Sequence, residues 1–405
     1  MNIAVMGFGV VGSGVVELFE KNHEMITEKS MQDAFDLKYI LDIRDFPDSP
    51  YADKMVKDFN IILNDASVGI VVETMGGLHP AYEFVSALLN AGKSVVSSNK
   101  ELVAEKGLEL LEIAKEKNVN FLFEASVGGG IPIIRPISQC LAANEIAEVA
   151  GILNGTTNFI LTKMIDEQMD FDTALRLAQQ LGYAEKDPTA DVDGIDASRK
   201  ICILASLCFG KHVYPNVVRT EGIRKISLRD VAYAADSGNV IKLLGVARKA
   251  GADKLVIFVS PCLVGRHSQL AGANDVFNAI LVRGDAIGDV VFYGRGAGKF
   301  PTASAVVADV IDCGKHVNKR KFLGWSDSAP DYVIDSTAIP GKFYVRGTGS
   351  ADAFSALADV KRLSAPDAPA NEAACICAAA SEKALLADLS AAGFSAELVM
   401  PVTDY

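Results

Sequence analysis

No apolar run in this sequence approaches the roughly 20 residues that cross a bilayer as a helix, which excludes a helical membrane protein. Basic residues are in the minority: 39 Lys and Arg face 51 Asp and Glu, a formal charge of −12. Nucleic acid and anionic membranes both reward a basic surface, so neither is the expected partner. The cysteines number seven, and no two stand in C-x-x-C spacing; Cys375 and Cys377 are separated by a single residue. Neither a disulfide framework nor a structural zinc site is expected, and a reduced, cytoplasmic protein is. The opening run Met1-Asn2-Ile3-Ala4-Val5-Met6 carries no basic leader, so no signal peptide is expected.

What is present is a globular composition. Half of the residues are hydrophobic and 22% are charged, which rules out a disordered or fibrous chain. At roughly 100–200 residues per domain, 405 residues make two to four domains. Over residues 1–135 short apolar runs (Ile3–Met6, Tyr39–Leu41, Gly69–Val72, Ser94–Val96, Asn120–Phe123) alternate with segments of helical period. That rhythm predicts an α/β fold with a Rossmann-like parallel sheet. Past residue 140 the rhythm changes: Phe171 to Leu181 follows a helical period between Asp170 and Gly182, and β-favouring runs lie at Leu255–Val259 and Val290–Tyr293. An α+β domain is expected over 136–300, with 300–315 returning to complete the first domain. Residues 316–339 read as a linker, overlapping the polar stretch Lys315–Ser328 that holds the only Trp. A small unit over 340–405 is expected, with strands near Lys342–Arg346, Lys361–Leu363, Ala373–Cys377 and Ala396–Val399 and helices over Asp352–Val360 and Glu382–Ala391.

Gly7-Phe8-Gly9-Val10-Val11-Gly12 spells G-x-G-x-x-G directly after the first apolar run and ahead of a helical segment. Glycines at these places permit a tight turn, a close backbone approach to a pyrophosphate and tight helix–strand packing, with the helix N-terminus facing the phosphates. Asp42 ends the second strand and would hold a ribose hydroxyl, which favours NAD; Arg44 would hold the extra phosphate of NADP. The two together leave the preference open.

The segment Leu181–Lys200 carries five carboxylates, Glu185, Asp187, Asp191, Asp193 and Asp196, and ends on Lys200. A solvated acidic loop would look the same. However, a helix beginning near Asp193 sets Asp196 and Lys200 four apart on one face, and Ile203 and Leu207 continue that stripe. A charged pair heading an apolar stripe suits a cleft as well as it suits a surface ion pair. Lys100 closes Ser94–Lys100 just past the carboxyl end of a strand, where ligands of parallel sheets bind, and reads equally as a helix-start lysine. Asn154-Gly155-Thr156-Thr157-Asn158 is either an N-cap turn or a set of polar groups offered to a substrate. Two glycine-rich stretches, Glu124–Pro132 and Gly294–Thr302, suit a ligand or plain chain reversal.

Together these motifs resemble homoserine dehydrogenase, in order, over residues 1 to about 312: GFGVVGSG, VVETMGG, SSNKELVA, FEASVGGGIPII, GILNGTTNFIL, LGYAEKDPTADVDGIDASRK and YGRGAGKFPTASAV. The resemblance implies a Rossmann-like nucleotide domain followed by a catalytic and dimerisation domain. It implies NAD- or NADP-dependent interconversion of L-homoserine and L-aspartate 4-semialdehyde, in the route to threonine and methionine, by a homodimer or higher oligomer. Carried over, Lys200 would exchange the proton with the reacting oxygen beside Asp196, and Lys100 would lie between cofactor and substrate. Glu185, Asp191, Gly182 and Thr156 would bind the substrate, and Gly298 the cofactor. Glu124, with carbonyls of Val127, Gly129 and Ile131, would bind a monovalent cation such as sodium. Residues 340–405 are similar to an ACT domain, but Gly347–Asp352 departs from the D-x-P-G-like turn of that family, which leaves an effector role open. A nucleotide-sensing regulator without turnover is the competing reading, and it would lack the two lysines. An acylating cysteine is not expected, because Cys140 and Cys202 sit in apolar runs.

Overall fold

A strand buried on both faces needs no polar alternation, and Ile3–Met6 has none; it is the centre of the first sheet. The computed structural model describes residues 1–317 and 319–405, so residue 318, inside the expected linker, lies outside the described residues. The chain forms two compact units. The first comprises Met1–Glu145, Cys202–Pro215 and Gly294–Ser328, and the second Ile146–Ile201, Asn216–Tyr293 and Ala329–Tyr405.

In the first unit six strands, β1 (Asn2–Met6), β2 (Asp36–Leu41), β3 (Met55–Val56), β4 (Val68–Glu73), β5 (Ser94–Ser97) and β6 (Phe121–Leu122), stand in the order β3-β2-β1-β4-β5-β6. All pairings are parallel. This is the doubly wound order, which gathers the carboxyl ends of the strands into one ligand-binding rim. Helices Val10–Lys21, Ala81–Asn90, Lys100–Lys117 and Lys299–Lys315 belong to the same unit. Gly14 lets the last of these lie against the first: a Cβ there would stand 2.8 Å from Lys299 Cγ.

Within the expected linker, Leu323 and Trp325 are buried, and Ser326 pairs with Lys211 in an isolated bridge. His212 stacks on Trp325 with ring centroids 5.8 Å apart, and Trp325 lies 3.0 Å from where a Cβ on Gly107 would be. Both ring nitrogens of His212 and Nε1 of Trp325 are buried without a partner among the described residues. Burial pushes the His212 imidazole down to about 4. Since the unfolded value is near 6.5, the unfolded chain binds a proton that the folded chain refuses as pH falls from 6.5 towards 4. Stability should therefore drop over that window by on the order of 3 kcal/mol from this group. Urea unfolding followed by the emission of the only Trp, at pH 7.5 and pH 4.5, checks this. The wild-type loss should exceed that of His212→Phe, and equal losses would contradict it.

The second unit is built on one mixed sheet. Its strands are β7 (Ile146–Ile152), β8 (Arg219–Thr220), β9 (Asn239–Lys249), β10 (Leu255–Gly265), β11 (Phe277–Gly284), β12 (Gly288–Arg295), β13 (Val333–Ile334), β14 (Gly341–Thr348), β15 (Ala358–Leu363), β16 (Glu372–Ala379) and β17 (Ser395–Thr403). They run in the order β12-β11-β7-β9-β10-β17-β14-β16-β15, with β8 and β13 paired to β10. Ala150, Ile152, Leu244, Val246, Val256 and Leu281 are part of its buried core. The last four strands follow the antiparallel β17-β14-β16-β15 order of a split β-α-β arrangement. Where a helix is expected over Asp352–Val360, there is a short 3-10 turn, Ala351–Ala356, followed at once by β15. Asp359 has φ of +50°, and the register shifts between Ala358 and Lys361, so a bulge rather than a helical turn absorbs these residues. Helix Glu382–Ala391 forms over the expected span.

A buried charge network ties these strands to helix Leu228–Ser237. Asp230 completes a capping box with Ser227 at the start of that helix, and it is fully buried. It accepts hydrogen bonds from Tyr344 Oη (2.8 Å) and Arg346 Nε (2.7 Å), while Arg346 also donates to Glu397 (2.7 Å).

Candidate active site

In the first unit the glycine-rich turn connects β1 to helix Val10–Lys21. Gly7 has φ of +92°, and a Cβ on Gly12 would lie 1.8 Å from Gly7 O, so neither position accepts a side chain. At Gly9, by contrast, nothing stands within 4 Å of a Cβ, leaving its face open. The turn borders a cleft of about 420 Å³ lined by Gly7, Gly9, Asp42, Arg44, Lys57 and Thr74, among others. This donor set fits a dinucleotide: a bare backbone turn at a helix N-terminus for the pyrophosphate, and cations nearby.

Asp42 does not face that cleft as an open carboxylate. It accepts hydrogen bonds from Phe8 N–H (2.7 Å) and Arg44 N–H (3.0 Å). It also takes a bidentate pair from the Arg44 guanidinium at 3.0 and 2.9 Å. The Arg44 side chain, hydrogen-bonded to it, holds its carboxyl well below the usual range. The Asp42 side chain is 6% exposed and that of Arg44 58%. The group presented to a ligand is thus a guanidinium, with Lys57 beside it in the cleft, a residue that no motif marks.

Lys100 opens helix Lys100–Lys117, one turn past β5. Its placement is secured by residues outside the expected set. Glu73, fully buried at the end of β4, accepts from Met75 N–H (2.8 Å), Gly76 N–H (3.3 Å) and Ser97 Oγ (2.6 Å). Burial pushes its carboxyl up. Asn99 caps the helix through Leu102 N–H (3.1 Å) and donates to Gly77 O (2.6 Å). The strand end, the 74–77 loop and the Lys100 helix start are thereby one hydrogen-bonded piece.

The second glycine stretch of this unit is closed by the Glu124 side chain. Both Glu124 carboxylate oxygens are engaged by backbone: Ile133 N–H (2.6 Å), Ile134 N–H (2.8 Å) and Arg135 N–H (2.8 Å). Among the described residues no cluster of three or more His, Cys, Asp or Glu could hold a metal ion. Gly298, with φ of +122°, is the N-cap of helix Lys299–Lys315.

In the second unit Asp196 and Lys200 lie on helix Ile195–Phe209, and the four-residue spacing closes a contact of 2.8 Å between Asp196 Oδ2 and Lys200 Nζ. Both are buried, at 5% and 8% exposure. Lys200 also donates to Leu153 O, the carbonyl just past β7, at 2.8 Å. The next residue, Asn154, spans the acids: its amide donates to Asp191 Oδ1 (2.7 Å) and Asp196 Oδ2 (2.9 Å), while its oxygen caps Thr157 N–H (2.8 Å). Thr156 Oγ donates to Tyr183 O (2.7 Å), which ties the turn to the Leu181–Lys200 segment. Gly182 (φ +75°) and Glu185 are exposed on that segment, and among the described residues the Glu185 carboxylate has no partner. The structure therefore collects Lys200, Asp196, Asp191 and Thr156 around Asn154.

The family pattern of the homoserine dehydrogenase NAD-binding domain matches residues 7–124, and that of homoserine dehydrogenase itself matches residues 132–311. The chain belongs to the homoserine dehydrogenase family. It is 46% identical over 320 residues to the homoserine dehydrogenase of Synechocystis, covering 77% of this chain and 73% of that one. With the Pseudomonas aeruginosa enzyme the identity is 42% over 346 residues, 84% and 79% of the two chains. The solved homoserine dehydrogenase of Thiobacillus denitrificans superposes with a TM-score of 0.89 at 32% identity, covering 100% of this chain and 98% of that one. A hyperthermophilic archaeal homoserine dehydrogenase solved with NADPH matches at TM-score 0.65 and 29% identity, over 77% of this chain and 97% of that one. This is a family of NAD(P)-dependent oxidoreductases, and among the described residues no helix is long and apolar enough to cross a membrane.

Proposed function

We propose that the protein interconverts L-homoserine and L-aspartate 4-semialdehyde. The observation that carries this reading is the buried Lys200–Asp196–Asn154 cluster in a chain of the homoserine dehydrogenase family. Bound NAD(P) supplies the hydride donor or acceptor. As the hydroxyl is oxidised, Lys200 in its neutral amine form takes the proton; in the reverse direction its ammonium gives the proton to the oxygen on which negative charge grows. Asp196 orients the Lys200 side chain through the 2.8 Å hydrogen bond. Asn154 fixes Asp196 from the other side and keeps Asp191 in register with it. Glu185 binds the substrate ammonium, and Asp191, Thr156 and Gly182 line its path. Lys100 serves the nicotinamide end of the cofactor, and Gly298 lies against the cofactor. Purified protein should oxidise L-homoserine with NAD+ or NADP+ at alkaline pH, read as NAD(P)H absorbance. Folded protein that binds a dinucleotide but shows no turnover with either would refute the assignment.

Arg44, with Lys57 alongside, supports NADP as the preferred cofactor. Arg44→Ala should raise the KM for NADP by roughly 10-fold or more, the scale of a lost charge-assisted hydrogen bond, and change that for NAD far less. Equal losses would show that Arg44 does not read the phosphate.

Three further assignments belong to the same reading. The oxygens of Glu124, Val127, Gly129 and Ile131 take a monovalent cation such as sodium. Residues 340–405 form an ACT-like module, supported by the β17-β14-β16-β15 order. The protein works as a homodimer or higher oligomer, which light scattering on the eluting enzyme checks.

A further inference from the structure

Deep in the first unit, away from the dinucleotide cleft, three charged side chains close a loop on itself. Glu124 and Asp309 are each 3% exposed. Glu124 gathers the N–H groups of residues 133–135, so the chain leaves Glu124, turns through the glycines and returns to it. Asp309, on helix Lys299–Lys315, accepts the backbone N–H of Glu124 at 2.8 Å and pairs with Arg135 Nη2. Arg135 thus joins the two carboxylates: its backbone N–H is held by Glu124 and its guanidinium by Asp309, with Asp312 3.5 Å from its Nε. Burial and the neighbouring Glu124 charge push the Asp309 carboxyl up to about 7.

This loop and the helix of Asp309 meet a second time at the loop tip. Gly130 N–H donates to Arg295 O at 3.0 Å, and a Cβ on Gly129 would lie 2.3 Å from Gly296 O, so the two backbones are in direct contact. The turn Arg295–Gly298, which opens the Asp309 helix, is thus fixed at its tip by the glycine loop and, three turns along the helix, by Asp309. Two tethers on one rigid rod set both its depth and its direction.

We propose that Asp309, acting through Arg135 and the Glu124 loop, is a positioning residue for the cofactor: it sets the Arg295–Gly298 turn where the dinucleotide meets it. The inference rests on the reading that Gly298 adjoins the cofactor. It assigns Asp309 and Arg135 to dinucleotide affinity and not to substrate recognition, which belongs to the second unit.

The test is Asp309→Asn, which is nearly isosteric: its amide oxygen still accepts Glu124 N–H, but it no longer pairs with the guanidinium. In the full-length enzyme, NADPH affinity by fluorescence and the KM of both substrates are measured beside the melting temperature. The expected result is a roughly 10-fold lower NADPH affinity and a correspondingly higher KM for NADP, the scale of a small misplacement. The KM for L-homoserine and the kcat at saturating cofactor should stay within about 2-fold, as they report on groups the variant leaves in place. A lowered melting temperature with unchanged NADPH affinity would overturn the proposal and leave Asp309 a stabilising residue. If the Asn variant does not fold, Arg135→Lys and Arg135→Gln carry the same test. The lysine variant should retain more NADPH affinity than the glutamine variant, and wild-type affinity in the latter would overturn the proposal. Failure of the underlying reading would be visible separately, as absence of NADPH binding by the wild-type enzyme.

Discussion

Lys200→Ala is expected to lower kcat for L-homoserine oxidation by roughly 10²–10⁴, the usual scale for a general acid–base group. The side chain is buried with its Nζ on Asp196 and on Leu153 O, both at 2.8 Å, so its position is dictated from two sides. Lys200→Arg should fail nearly as badly: a guanidinium keeps the charge but does not give up a proton in the working pH range. NADPH affinity should be unchanged in both variants, because the nucleotide turn belongs to the first unit. Near-normal kcat in the alanine variant, with its mass confirmed, would mean that the proton is handled elsewhere. Lys100→Ala should fall on the same scale, and comparison of the two tells whether both cations act on the reaction.

The second large effect is on folding. Arg346→Met should destabilise the protein by about 3–5 kcal/mol, since it leaves the buried Asp230 charged without its cation, while Glu372 keeps Arg229 at 3.0 Å. The Asp230 side chain is 0% and that of Glu372 3% exposed. Adding Asp230→Asn to Arg346→Met should recover part of the loss, because the amide carries no charge to bury. Urea unfolding of the three proteins measures both steps. A loss below about 1 kcal/mol, the level of an exposed ion pair, would show that water reaches this network.

How much of this was legible in the sequence depends on the range of the interaction. The parallel strands around Ile3–Met6 announce themselves because burial on both faces removes polar residues from the run, whereas Met55–Val56 is too short to carry any pattern. The Asp196–Lys200 pair is visible because helical spacing is local. For Asn154 the sequence leaves a turn residue and a substrate-facing amide equally open; its bonds to Asp191 and Asp196 join residues 37 and 42 apart, and no periodicity encodes that. The position of Asp42 at the end of the second strand suits an acid for the ribose, and a neighbour two residues on, Arg44, occupies it. The stretch Lys315–Ser328 looks like a linker because Leu323 and Trp325 are its main buried apolar groups, and two residues make no period. The helix expected over Asp352–Val360 fails for a similar reason: a left-handed residue at Asp359 is not written in the hydrophobic pattern.

The placement of β17 has a consequence for how the protein comes into being. This strand, Ser395–Thr403, sits between β10 and β14, in the interior of the sheet. During synthesis, strands β7, β9 and β10 emerge well before it, and the edge of β10 that β17 covers stays open until residue 403 has left the ribosome. An open edge next to an apolar core is a template for wrong pairing. Contacts of such long sequence separation also form slowly. The sheet of the second unit is therefore completed only when β17 has been made, and its vulnerable interval for aggregation is the wait for that strand.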